Sequence, residues 1–137
     1  MKNNALALAI AVALSGCSAP PLSELQSSLK ALALAVFASK GQTELRQALR
    51  QYEDGDYAAA EASLQKALDY GLEREDRILA HKHLAFIHCA ADRTAQCRAE
   101  FQLALQVNPR TSLDPAEAGH PAWGPVFRSL TRGSASD

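Results

Sequence analysis

Apolar residues recur at steps of three and four along much of this chain, and that spacing restricts how it can fold. The first such series is Leu22, Leu25, Leu29, Leu32 and Val36. Steps of three and four place side chains on one face of an α-helix, whereas a half-buried strand alternates at every second residue. Alanine and leucine are frequent in the sequence, and both are strong helix formers. The sequence therefore predicts an all-α fold.

Turn residues divide the helical pattern into segments. The turns are predicted at Ser39-Lys40-Gly41, Asp54-Gly55-Asp56, Gly71 and Ala91-Asp92-Arg93. Glycine suits such positions because it adopts the left-handed conformation that often follows a helix. We therefore expect one helix to end near residue 39, another to start at Thr43, and further helices over 57–70, 74–91 and 94–107. A short last helix is expected to carry Val126, Phe127 and Leu130.

The two central helix pairs repeat the same pattern of small and large residues. Ala60 in the first pair and Cys97 in the second hold equivalent positions 37 residues apart. Small residues let helix backbones approach closely, and larger ones fill the gaps between pairs. The small residues are Ala60, Ala67, Ala85 and Ala104, and the larger ones are Leu64 and Phe101. The spacing predicts two helical hairpins in tandem.

The second hairpin resembles the tetratricopeptide repeat (TPR), whose period is about 34 residues. The positions that match are Leu84-Ala85, Cys97, Phe101, Ala104 and Pro109. The first hairpin matches through Gly55-Asp56-Tyr57, Ala60, Leu64 and Ala67, but it has Gln47 at the usual leucine position and no closing proline. The resemblance implies a right-handed stack of about two such hairpins. Because two repeats leave faces uncovered, we expect the Leu22–Val36 helix to cap one end and the Trp123–Leu130 segment to cap the other.

The beginning of the chain resembles a bacterial lipoprotein signal. The apolar run from Ala5 to Leu14 has the length of a signal-peptide core. It is shorter than the roughly 20 residues that a membrane-spanning helix needs. Leu14-Ser15-Gly16-Cys17 is similar to the lipobox, whose cysteine receives the lipid. The alternative is an ordinary signal peptide with an incidental cysteine.

This resemblance implies a division of the chain and a location. Residues 1–16 would be a signal peptide that is removed, 17–22 a tether with acyl chains on Cys17, 23–131 the helical domain and 132–137 a disordered tail. Ser18 is not acidic, which in such lipoproteins favours the outer membrane over the inner one. The domain would then face the periplasm.

Two cysteines remain once Cys17 carries lipid. Cys89 and Cys97 flank the short predicted turn at 91–93, so they lie at nearly the same height on antiparallel helices. Disulfides form and persist in oxidising compartments such as the periplasm. We therefore predict a disulfide between them, and two buried free thiols are the alternative.

The sequence contains no pattern that indicates catalysis. A net charge of −1 provides no strong field for binding nucleic acid. His81 and His88 share a helix face, but a metal site needs a third ligand within reach, and ordinary packed or solvated histidines explain them. We therefore expect a protein that is not an enzyme, with no cofactor, no metal and no small-molecule substrate.

The resemblance implies instead a module that binds other proteins. In the family the leading helices of each hairpin line a groove, and here they supply Leu45, Leu49, Tyr52, Lys82 and Phe86. This mostly apolar set favours an amphipathic helix or apolar peptide as ligand. The alternative is that the groove is filled by the chain's own Leu22–Val36 helix. Trp123 is a further candidate for partner contact, with a core-capping role as its alternative.

A lipid-anchored repeat domain of the kind expected here resembles accessory lipoproteins of the cell envelope, such as pilotins. We therefore expect an adaptor that binds a protein partner in the envelope and helps to assemble or stabilise a larger machine of the secretion-system or pilus type. The alternative is a regulatory subunit of a periplasmic cell-wall enzyme.

Overall fold

The structure, a computed structural model, describes residues 22–133, which form six helices and no strand. The helices are α1 (Leu22–Glu53), α2 (Tyr57–Tyr70), α3 (Arg74–Ala90), α4 (Thr94–Val107), α5 (Pro115–Ala118) and α6 (Gly124–Gly133). The all-α prediction is confirmed. The predicted signal peptide, Cys17 and residues 18–21 of the tether lie outside the described residues.

The helices pack in pairs. α1 packs on α2, and α3 packs on α4, each pair being joined by a short turn and therefore antiparallel. α2 also contacts α3, which brings the two hairpins together. All six small and large residues expected between the helices are fully buried: Ala60, Leu64, Ala67, Ala85, Phe101 and Ala104. The sequence pattern therefore identified the residues at which the helices meet.

The boundaries of the middle helices follow local signals in the sequence. Asp56 caps α2, where its side chain accepts a hydrogen bond of 3.1 Å from the backbone N–H of Ala59. Gly71 follows α2 with a φ of 93°, a conformation that L side chains rarely adopt. Asp92 has a φ of 57° in the turn between α3 and α4, and aspartate tolerates the left-handed region better than most residues.

The predicted helix end at Ser39-Lys40-Gly41 is wrong, since α1 continues through it without a break. The hydroxyl of Ser39 donates to the carbonyl of Val36, and that of Thr43 donates to the carbonyl of Ser39, so both are satisfied within the helix. Gly41 is buried against α2, and a Cβ there would clash with the carbonyl oxygen of Gly71. Gly41 therefore allows two helices to approach closely and does not end one.

Gly41→Ala is expected to lower the free energy of unfolding by about 1–2 kcal/mol, because overpacking a tight contact costs more than alanine gains in helix propensity. Gly119→Ala is the matched control, since its Cβ would meet no atom closer than 3.5 Å. Urea unfolding followed by circular dichroism measures both. Equal stability of the two variants would contradict the close approach at Gly41.

The predicted N-terminal cap is also wrong. The Leu22–Val36 segment does not fold back onto the hairpins, because it is the first half of the continuous helix α1, and its apolar side chains are exposed. At the other end, α6 packs on α4, and the ring of Phe127 lies 5.1 Å from that of Phe101. The C-terminal segment thus covers the second hairpin, as expected. Helix α6 extends to Gly133, two residues into the predicted tail.

Candidate docking surface on the first helix

Cys89 and Cys97 lie at disulfide distance, with their Cα atoms 5.1 Å apart. Cys89 lies in the last turn of α3 and Cys97 in the first turn of α4. Both are buried. A disulfide at this distance ties the two helices of the second hairpin together within the buried cluster that also contains Phe101 and Phe127.

The groove predicted from the family resemblance is occupied by the chain itself. Lys82 Nζ lies 2.8 Å from Glu117 Oε2 on α5. The ring of Phe86 lies 4.6 Å from that of Trp123, and Phe86 is only 3% exposed. The segment from α5 to Trp123 therefore covers the second hairpin's share of the groove. This packing agrees with the capping role considered for Trp123.

The first hairpin's share of the groove is also largely closed. Leu45 is buried in the core between α1, α2 and α3, and Leu49 and Tyr52 are half-buried against the same core. The alternative that the Leu22–Val36 helix fills the groove is wrong, because the C-terminal segment lies there instead. The predicted groove residues thus contribute mainly to packing in this structure.

The histidines of α3 are packing and pairing residues. His83 lies between the rings of Tyr52 and Phe86, at 4.9 and 5.6 Å, and burial lowers the pKa of His83. His81 Nδ1 is 2.7 Å from a carboxylate oxygen of Glu100 on α4. Within residues 22–133, no group of three or more His, Cys, Asp or Glu side chains is arranged to hold a metal ion.

The exposed apolar surface is concentrated on the first half of α1. Of the ten large apolar side chains exposed in the described part of the chain, seven lie between residues 22 and 37. They are Leu22, Leu25, Leu29, Leu32, Leu34, Val36 and Phe37. Contiguous exposed apolar surface on a folded domain marks an interaction site far more often than scattered single residues do.

One side of this segment faces the end of the first hairpin and forms an open trough. We call it the α1 trough; its lining residues are Leu34, Phe37, Ala38, Tyr70, Gly71, Leu72 and Glu73. The ring of Phe37 lies 6.5 Å from that of Tyr70, and Lys40 Nζ lies 5.7 Å from both ring centres. Leu34 and Phe37 were not identified from the sequence, because they lie outside the series from Leu22 to Val36 and the helix was expected to end near residue 39. A helical wheel continued to residue 45 places both on the side of Leu45.

The opposite side carries the apolar series seen in the sequence. We call it the α1 stripe: Leu22, Leu25, Leu29, Leu32 and Val36. At about 100° per residue, the stripe lies nearly opposite Gly41, Leu45 and Ala48, the residues that α1 buries in the hairpin core. Helices α2 and α3 therefore lie on the wrong side of α1 to cover it.

No protein-family model, no curated protein and no solved structure matches this chain. Across residues 22–133, none of the helices combines the length and the hydropathy that crossing a membrane requires.

Proposed function

We propose that this protein is a lipid-anchored periplasmic adaptor at the outer membrane, built on TPR-like hairpins, that docks a protein of an envelope machine. The single observation that carries the docking proposal is the concentration of exposed apolar side chains on the first half of α1. The hairpins hold the second half of α1 rigidly. The first half thereby projects from the domain as a preformed binding element.

The α1 trough is the surface at which the partner docks. Its walls come from two elements, the projecting part of α1 and the corner between α2 and α3. Leu34 and Phe37 line one wall, and Tyr70 and Leu72 line the other. An amphipathic helix is the ligand that suits such a surface, since helix-in-groove binding uses a few apolar anchors spaced along one helix face.

The proposed anchor would keep this surface close to the membrane. Cys17 lies five residues before Leu22, and a chain of that length spans at most about 17 Å when fully extended. The start of α1 would then lie within that distance of the lipid-bearing residue. The trough begins at Leu34, about 18 Å further along α1, so a partner docked there is expected to lie within about 35 Å of the outer membrane.

The double variant Leu34→Asp/Phe37→Asp is expected to abolish co-purification of the partner after cross-linking in cells. Its melting temperature should stay close to that of the wild type, because exposed positions contribute little to stability. Leu103→Asp on α4 is the matched control, since Leu103 is also exposed but lies away from α1. A docked partner retained equally by both variants would exclude the trough as the docking surface.

A further inference from the structure

We infer that the α1 stripe binds the same stripe of a second copy of this chain, in a parallel two-helix contact. This contact uses the side of α1 opposite the trough, so it goes beyond the docking proposed above. The observations that support it are the spacing of the stripe, the residues beside it and its direction relative to the hairpins.

The spacing is that of a coiled-coil seam two heptads long. Steps of three, four, three and four from Leu22 to Val36 correspond to the a and d positions of a heptad repeat. The next positions in the series are Ser39 and Thr43, both polar. The apolar seam therefore ends where α1 enters the hairpin core. Over these two heptads a straight helix drifts only about 40° from the heptad line, so the stripe can keep one line of contact along a partner helix.

The residues beside the stripe permit pairing with an identical helix. Positions e and g of the heptads are occupied by Gln26, Ser28, Ala33 and Ala35. None of them is charged, so two copies do not repel each other across the seam. Charged residues at these positions set partner choice and orientation in coiled coils, and this stripe carries none that would exclude an identical helix.

A membrane surface suits this helix less well. Helices that bind an anionic membrane surface carry a polar face rich in lysine and arginine. Residues 22–39 contain only Glu24 and Lys30 as charged side chains. This segment therefore offers too few positive charges to attract an anionic lipid surface, whereas a second copy presents an identical apolar stripe.

The stripe faces away from the hairpins, so two copies can pair through it without a collision between their hairpins. Because the hairpins pack on the side of α1 near Leu45 and Ala48, two copies joined through their stripes place their hairpins on the outside. The parallel orientation rests on the proposed lipid anchor. Two chains anchored at Cys17 in the same membrane start their helices in one plane, and anchoring raises their effective concentration.

Cysteine cross-linking in the lipidated protein tests this contact. Leu25→Cys places a thiol in the seam, and Ser27→Cys places one on the opposite side of the same helix turn. We expect roughly tenfold more covalent dimer from Leu25→Cys, because only seam positions bring identical residues near the Cα separation that a disulfide needs. The membranes are solubilised, and the amount of covalent dimer is measured on non-reducing gels. Adding Leu32→Glu to Leu25→Cys should remove the dimer without changing the melting temperature.

Each of the following results would overturn the inference. Equal dimer from Leu25→Cys and Ser27→Cys, or no dimer from either Leu25→Cys or Leu29→Cys, would exclude a specific seam. A dimer from Leu29→Cys but not from Leu25→Cys would mean an antiparallel pair, because Leu29 is the central residue of the stripe. Cross-linking of Leu25→Cys to a different protein, or to an uncleaved signal peptide, would identify another occupant. None of these results depends on Leu34 or Phe37, so docking in the trough is tested separately.

Discussion

Replacing Cys89 with serine is expected to lower the free energy of unfolding by about 2–3 kcal/mol. The bond joins residues eight apart in the sequence, and closing so short a loop removes less chain entropy from the unfolded state than a long loop does. A domain of about 100 residues loses roughly 4–8 °C of melting temperature per kcal/mol. Cys89→Ser should therefore melt about 8–24 °C below the wild type, as measured by circular dichroism.

Reduction of the wild-type protein is the control for this variant. It breaks the bond while leaving both sulfur atoms in place, so it separates loss of the bond from burial of a serine hydroxyl. Reduced wild type and Cys89→Ser should melt within a few degrees of each other, since both lack the same constraint. Two reactive thiols per chain in the unfolded, unreduced wild-type protein would contradict the disulfide.

Cys17→Ser is expected to prevent lipidation and to leave an uncleaved or mislocalised precursor. In the wild-type protein, intact mass should give an N-terminus at Cys17 that carries acyl chains. One acyl chain binds a membrane only marginally, whereas two or more give stable anchoring. The wild-type protein should therefore remain in the membrane pellet after a high-salt wash.

The Cys89→Ser variant is an internal control for the lipidation experiment. Cys89→Ser should lower stability yet leave the mass at Cys17 and the membrane fraction unchanged, because the two cysteine functions are independent. A soluble wild-type product that is cleaved at another position would exclude the lipid anchor. It would also remove the argument for a parallel orientation of the α1 stripe.

The middle of the fold could be predicted closely because its signals are local. The bounds of α2 and α4 agree with the expected 57–70 and 94–107. The residues that set these bounds act locally. Gly71 and Asp92 act through their own backbone conformation, and Asp56 caps a backbone N–H three residues away. Such effects depend on neighbours in sequence, and a single sequence contains them in full.

The errors all involve contacts between distant parts of the chain. Gly41 looks like a helix end in sequence, but its role is set by the carbonyl oxygen of Gly71, thirty residues later. The groove is closed by the ion pair between Lys82 and Glu117 and by the contact between the rings of Phe86 and Trp123. No periodicity relates these residues, so the sequence pattern could not indicate which segment covers the groove.

The candidate surface was seen in part. The spacing of Leu25, Leu29 and Leu32 identified an apolar face correctly, but it did not indicate whether the rest of this chain covers that face. From the sequence, that face was expected to cap one end of the hairpin stack, and filling of the protein's own groove was the alternative. The structure leaves it exposed, because the continuity of α1 carries it away from the hairpins. That continuity is also what creates the trough beside Leu34 and Phe37.

Thiol accessibility in the native envelope tests the proposed docking surface most directly. Leu34→Cys places a label site in the α1 trough, and Gln65→Cys places one on the exposed side of α2. A membrane-permeable maleimide should label both rapidly in the purified protein. In intact cells, it should label Gln65→Cys equally well but Leu34→Cys much more slowly, because the partner covers the trough. Equal labelling of Leu34→Cys in cells and in the purified protein would contradict docking at this surface.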